Sequence, residues 1–209
     1  MTFNIHEFQN KRNNPKKYIM SAISTFNDIN GKVIVEIGSM RQNLSHKLEE
    51  DNHPCCNDGH SSAWFARTGN DFYTIDIDIA ATNITRNVLN NLSLTENVTI
   101  LNGDGIHFLQ TFNEVYNKKI DLLFLDAWDV GLENSAEAHL EAYKVAKESL
   151  AEKHIILIDD TDVDKINGKW TYLKGAEAGK GKLLIPYLLE NGYTMVFNGR
   201  QTMFVNYNV

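Results

Sequence analysis

Only two cysteines occur in 209 residues, and they are neighbours, Cys55 and Cys56. A disulfide framework is thereby excluded, and a reducing cytoplasmic setting is expected. No run of about 18 apolar residues exists, so no membrane-spanning segment is expected. The opening stretch 1–18 is too polar for a signal peptide. Positive charge is in deficit: 20 basic against 27 acidic residues leave a net charge of −7. That argues against a general nucleic-acid binder, which needs a basic face. The glycine-rich fingerprint of dinucleotide sites is also missing. Repeats, low-complexity tracts and linkers are absent too. What is present is ordinary for a protein with a buried core, at 43% hydrophobic and 22% charged residues. The length favours one domain with elaborations.

Five short, β-branched-rich runs are bounded by turn signals: 33–37, 72–75, 98–101, 122–125 and 155–158. Near-continuous apolar runs of this kind suit strands buried on both faces. Helical patterns lie between them, near 60–68, 81–92, 105–117 and 134–152. The alternation predicts an α/β fold, Rossmann-like and doubly wound, with a mostly parallel seven-stranded sheet. A last helix over 180–191 stops at Gly192, and two alternating strands follow, 193–197 and 201–207. The Asn198-Gly199 turn between them predicts a C-terminal antiparallel hairpin. Residues 1–30 read as an N-terminal helical segment broken at Pro15 and covering the core of a 31–209 domain. The 39–57 stretch is an inserted loop, long enough to suggest a functional or disordered segment.

In open α/β sheets ligands bind beyond the carboxyl ends of the strands. Those ends carry Glu36-Ile37-Gly38, Asp76-Ile77-Asp78, Gly103-Asp104-Gly105, Asp126-Ala127-Trp128-Asp129 and Asp159-Asp160-Thr161-Asp162. One such Asp is unremarkable, because Asp often caps a following helix. Five in series are costly unless something positive binds among them. An acid at the end of the second strand suits the two hydroxyls of a ribose. Asp104 between its glycines could meet an adenine amino group, and Gly38 leaves room beside the first strand. These are the requirements of a nucleoside cofactor. Gly38 runs into the long stretch instead of a pyrophosphate turn. A cofactor without phosphates is therefore favoured, and a sulfonium such as S-adenosylmethionine adds a positive charge that suits an acidic edge.

The ordered set Val-Glu-Ile-Gly, Thr-Ile-Asp-Ile-Asp, Asn-Gly-Asp-Gly, Leu-Phe-Leu-Asp and Ile-Leu-Ile-Asp-Asp, followed by the helix and hairpin, resembles class I S-adenosylmethionine-dependent methyltransferases. The resemblance covers about residues 30–209. The family's first glycine-rich turn is split here: Glu36 and Gly38 form one half, and Asp58-Gly59-His60-Ser61-Ser62 resembles the other. The resemblance implies cofactor binding by Glu36, Gly38, Ser61, Asp76 and Asp104. A plain helix-capping role for Ser61 and Ser62 stands beside it. Within the family the chain resembles metal-dependent O-methyltransferases of the cephalosporin-hydroxylase-like and macrolide-sugar types. That implies a hard divalent cation such as Mg²⁺ on Asp126, Asp159 and Asp160, which would also relieve their repulsion. The implied reaction moves a methyl group to a hydroxyl of a small molecule, with Asp126 among the catalytic groups. Asp129 is the positional candidate for a general base; His139 is the alternative.

Several features fit less well. His46, His53, Cys55, Cys56 and His60 match no common zinc spacing. Trp64, the N-terminal helix and 162–180 are expected to wall a substrate pocket. Gly179-Lys180-Gly181 could meet an anion but lacks the rest of a P-loop. Two other readings remain: a nicotinamide-dependent oxidoreductase, and a silent scaffold of the same fold. The oligomeric state, a homo-oligomer included, stays open.

Overall fold

The computed structural model describes residues 14–44, 48, 60–173 and 177–208. The zinc-like stretch and most of the inserted loop therefore lie outside the described residues, apart from 39–44, Leu48 and His60.

Helix α1 (Lys16–Asp28) buries Tyr18, Ile19, Ala22, Ile23 and Phe26, a stripe at helical spacing. Pro15 precedes it at the N-cap, where its missing N–H costs nothing. Strand β1 (Val33–Ile37) is buried throughout. Then come α2 (Ser61–Ala66), β2 (Asp71–Asp76), α3 (Ile79–Asn91), β3 (Val98–Asn102), α4 (Gly105–Tyr116), β4 (Ile120–Leu125) and α5 (Ser135–Ala146). The chain continues with β5 (Leu150–Ile158), β6 (Val163–Ile166), β7 (Lys169–Tyr172), α6 (Leu184–Glu190), β8 (Thr194–Phe197) and β9 (Thr202–Val205).

The seven-stranded sheet has the order β3-β2-β1-β4-β5-β9-β8. Strands β1 to β5 pair in parallel, and β9 enters antiparallel between β5 and β8. The chain winds outward from β1 through β2 to β3, then returns to start β4 on the other side of β1. The switch point thus falls between β1 and β4, where a doubly wound sheet opens its crevice.

Strand parity sorts the core into two layers. Val33, Val35 and Ile37 face α4, α5 and α6 in one cluster with Phe108, Phe112, Tyr143 and Leu188. Ile34 faces the opposite cluster, with Phe26 of α1, Phe65 of α2 and Leu89 of α3. Helix α1 packs on the sheet and places none of its residues in the cleft described below, where it was expected as a wall. Trp64, expected at the pocket, is instead buried in this second layer, with the Lys16 ammonium 4.9 Å from its ring centre. The pattern 134–152 overran the helix: α5 ends at Ala146, a 3-10 turn follows, and β5 starts at Leu150. Among the described residues no helix is long and apolar enough to cross a membrane.

One hairpin lies outside the predicted elements. Strands β6 and β7 pair antiparallel across Asn167-Gly168, both with positive φ (51° and 76°). That is the two-residue hairpin turn that Asn-Gly favours.

Candidate active site

A cleft of about 310 Å³ opens at the carboxyl ends of β1 to β4. Gly38, Ser61, Asp76, Asp104, Asp126 and Asp129 all line it. Six of the expected residues therefore share one cavity. Glu36 does not line it.

Glu36 differs because of strand parity. It shares its strand face with Ile34, so its carboxylate points under α2 instead of over the strand end. There Ser61 Oγ donates to it at 2.5 Å, Thr74 Oγ1 at 2.7 Å, and Ser62 Oγ as well. Ser39 Oγ and Thr74 Oγ1 are 2.8 Å apart, which ties the turn after β1 into the same network. Glu36 thus anchors the start of α2 and the floor of the cleft. Burial pushes its carboxyl up to about 7, against the pull of the three hydroxyl donors.

A folded-state value above the unfolded one favours folding in acid and loses that contribution as pH rises through about 7. Urea midpoints between pH 5 and 8 should therefore fall more steeply in wild type than in Glu36→Gln. The difference should reach on the order of 3 kcal/mol. Parallel profiles would rule out a titrating Glu36.

Gly38 has φ +98°, and a Cβ there would come within 2.8 Å of the Asp126 carbonyl. It is glycine because β1 and β4 turn against each other at the switch point. Asp76 Oδ2 accepts the Ser39 N–H at 2.8 Å, and Oδ1 accepts the Asp78 N–H at 2.8 Å. Asp104 caps α4 by accepting the His107 N–H at 2.8 Å. Each carboxylate oxygen keeps further acceptor capacity for a ligand in the cleft.

Asp129 is held at the mouth by Arg41, whose Nη1 lies 3.0 and 2.8 Å from its two oxygens. His139 does not line the cleft: it is fully buried, and burial pulls its imidazole down to about 3. Its Nδ1 donates to the Ser135 carbonyl at 2.7 Å, which favours the protonated ring, and burial outweighs that pull. Its ring stands edge-on to Trp128, 5.2 Å between centres. A second cavity of about 320 Å³ lies beyond Leu132, with Asp164, Lys165 and Gly168 of the β6–β7 hairpin in its wall.

At the ends of β4 and β5, Asp126, Asp159 and Asp160 each offer a carboxylate oxygen within 4.8 Å of the others. Trp128 and Asp160 both take positive φ here, 44° and 48°. Left-handed backbone at non-glycine residues is costly and concentrates at functional sites. Gln201 Nε2 donates to Asp159 Oδ1 at 2.7 Å. Lys180, expected only as a possible anion contact, belongs to this cluster: it is fully buried, 2.5 Å from Asp126 Oδ1, 3.0 Å from the Asp126 carbonyl and 3.7 Å from Asp160 Oδ2. One ammonium faces three carboxylates. Burial and the charges of Asp159 and Asp160 hold the Asp126 carboxyl well above its ordinary range despite Lys180. An excess of hard oxygen donors over positive charge fits a divalent cation.

The sheet order and the acidic cleft define the class I methyltransferase fold. A sequence profile described as a methyltransferase domain matches residues 56–161, half of the chain, and the chain belongs to that family. A comparison with curated proteins finds no match. Among solved structures, an O-methyltransferase from Bacillus cereus in complex with S-adenosylhomocysteine aligns with a TM-score of 0.58 at 14% identity, over 91% of this chain and 78% of that one. The O-methyltransferase TomG from Streptomyces achromogenes, involved in tomaymycin synthesis and solved with S-adenosylmethionine, aligns with a TM-score of 0.55 at 14% identity, over 94% and 96%. At such identities the likeness concerns the fold.

Proposed function

We propose that this protein is an S-adenosylmethionine-dependent O-methyltransferase acting on a hydroxyl of a small molecule, with a divalent cation such as Mg²⁺ on Asp126, Asp159 and Asp160. The observation that carries the reading is the cleft at the β1/β4 switch point of a methyltransferase-family chain, with carboxylates from the ends of β2, β3 and β4 in its wall. The net charge of −7 supports a small acceptor over a nucleic acid, and the cysteine pattern supports a cytoplasmic location.

In this reading Asp76 receives the ribose hydroxyls and Asp104 faces the adenine edge. Ser39 and Ser61, fixed by Asp76 and Glu36, meet the amino-acid end. Asp126 lines the cleft and also belongs to the acidic cluster, so it connects the methyl donor's chamber with the acceptor's oxygen. When bound, the divalent ion supplies a Lewis acid that lowers the acceptor hydroxyl's pKa. The chain's own part is to align donor and acceptor and to exclude water. Arg41 holds Asp129 at the rim, so Asp129 acts as a base only where that ion pair opens.

Thermal shift tests the cofactor directly. S-adenosylhomocysteine at about 100 times its Kd should add about 2.7 kcal/mol of stability, read as a rise in Tm. NAD should leave Tm unchanged. A shift with NAD alone would move the chain to the oxidoreductases, and no shift with either would make it a scaffold.

A further inference from the structure

We propose that Lys180 is a built-in competitor of the divalent cation: its ammonium holds the acidic cluster at the ends of β4 and β5 and sets how tightly the ion binds there. The inference rests on the metal reading of that cluster.

The chain goes to some length to deliver this lysine. Residues 179–181 form a 3-10 turn between the β6–β7 hairpin and α6. Gly179 has φ +50°, and a Cβ there would strike the carbonyl oxygens of Asp160 and Val163. A Cβ on Gly181 would meet Ile185 at 2.5 Å and Thr161 at 2.8 Å. Both glycines let the turn press against the loop after β5. Lys180 is thereby placed, with no exposed surface, on Asp126 Oδ1 and on the Asp126 carbonyl, with Asp160 Oδ2 at 3.7 Å. Lysines are almost never buried unless paired, and here the pairs are two of the three proposed metal ligands. Lys180 is not in the lining of either cavity, so it is a positioning residue that acts through Asp126 and Asp160.

The electrostatics give the sign. An ammonium and a divalent ion drawn to the same carboxylates repel each other strongly at such separations. Removing the ammonium leaves three carboxylates facing one another, an arrangement that only a cation or protons can relieve. Loss of Lys180 should therefore strengthen ion binding, whereas loss of a merely structural lysine would weaken it or leave it unchanged.

The test compares full-length wild type with Lys180→Gln and Lys180→Met, titrated with MgCl₂ and MnCl₂ by calorimetry and followed by thermal melting. The expected result is at least about tenfold tighter Mn²⁺ and Mg²⁺ binding in both variants. Their Tm values should be depressed without the ion and should recover further on its addition than wild type does. Equal or weaker ion binding in the variants overturns the proposal while leaving the metal site standing. No ion binding in any of the three overturns both the proposal and the metal reading, and the S-adenosylhomocysteine shift then tells separately whether the methyltransferase reading survives. Variants that stay unfolded even in millimolar ion also overturn it, because the ion would then be unable to take the ammonium's place.

Discussion

Asp160→Asn is expected to lower methyl transfer by about a hundredfold or more, equivalent to about 2.7 kcal/mol in the barrier, while S-adenosylhomocysteine affinity stays within about twofold of wild type. The separation follows from geometry. Asp160 belongs to the acidic cluster but does not line the cleft proposed for the cofactor. Asparagine is the informative replacement because it keeps the side chain's shape and tolerates the left-handed φ of 48° that Asp160 adopts. Alanine would add backbone strain to the loss of charge and confuse the two. The variant removes one negative charge and leaves Asp126 bonded to Lys180. The loss should therefore appear as weakened Mg²⁺ activation, with half-maximal activation moved to higher ion concentration. Initial rates across a Mg²⁺ titration, with calorimetry for the cofactor, measure both halves. Full wild-type activity in excess chelator would remove the ion from the reaction, and a parallel loss of cofactor affinity would place Asp160 at the wrong site.

The sequence made the fold readable because each parallel strand is a short apolar run ending in an acid and a turn, and those acids fall along one edge whenever the strands are parallel. Asp76, Asp104, Asp126 and Asp129 reached the cleft for that reason. Glu36, a cofactor contact by the family resemblance, stands outside the cleft lining. Counting parity from Ile34 puts it on the α2 face, and that signal was present in the sequence. The β6–β7 hairpin was also within reach. Asn167-Gly168 forms its turn, while Asn198-Gly199 lies, as expected, in the connection of the C-terminal hairpin β8–β9, where Gly199 also leaves room for the Tyr18 hydroxyl. Lys180 lies in another category. It follows β5 by more than twenty residues and reaches Asp126 only through the packing of a turn against a loop. Clustered carboxylates need a positive partner, and the chain supplies part of that charge itself through Lys180.

Asp76→Ala should raise the Kd for S-adenosylhomocysteine by about a hundredfold, a larger loss than at any other single residue of the cleft. Two contributions add. The carboxylate accepts the Ser39 and Asp78 amides, so its removal frees the turn after β1 and the entry to α3 together. It would also remove the proposed acceptor for the ribose hydroxyls, and hydrogen bonds to a charged group are worth about 1.5–3 kcal/mol each. The two parts separate experimentally. Loss of the backbone clamps lowers Tm without ligand and weakens every ligand alike. Loss of the ribose contact is specific, so the penalty should shrink for an analogue lacking the 2′ and 3′ hydroxyls. Asp104→Ser is the companion variant, because serine keeps the N-cap of α4 and removes only the carboxylate. Calorimetry on both variants reads the result. An unchanged Kd in Asp76→Ala would mean that the acid at the end of β2 shapes the turn and touches no ligand, and the cofactor reading of the cleft would lose its main contact.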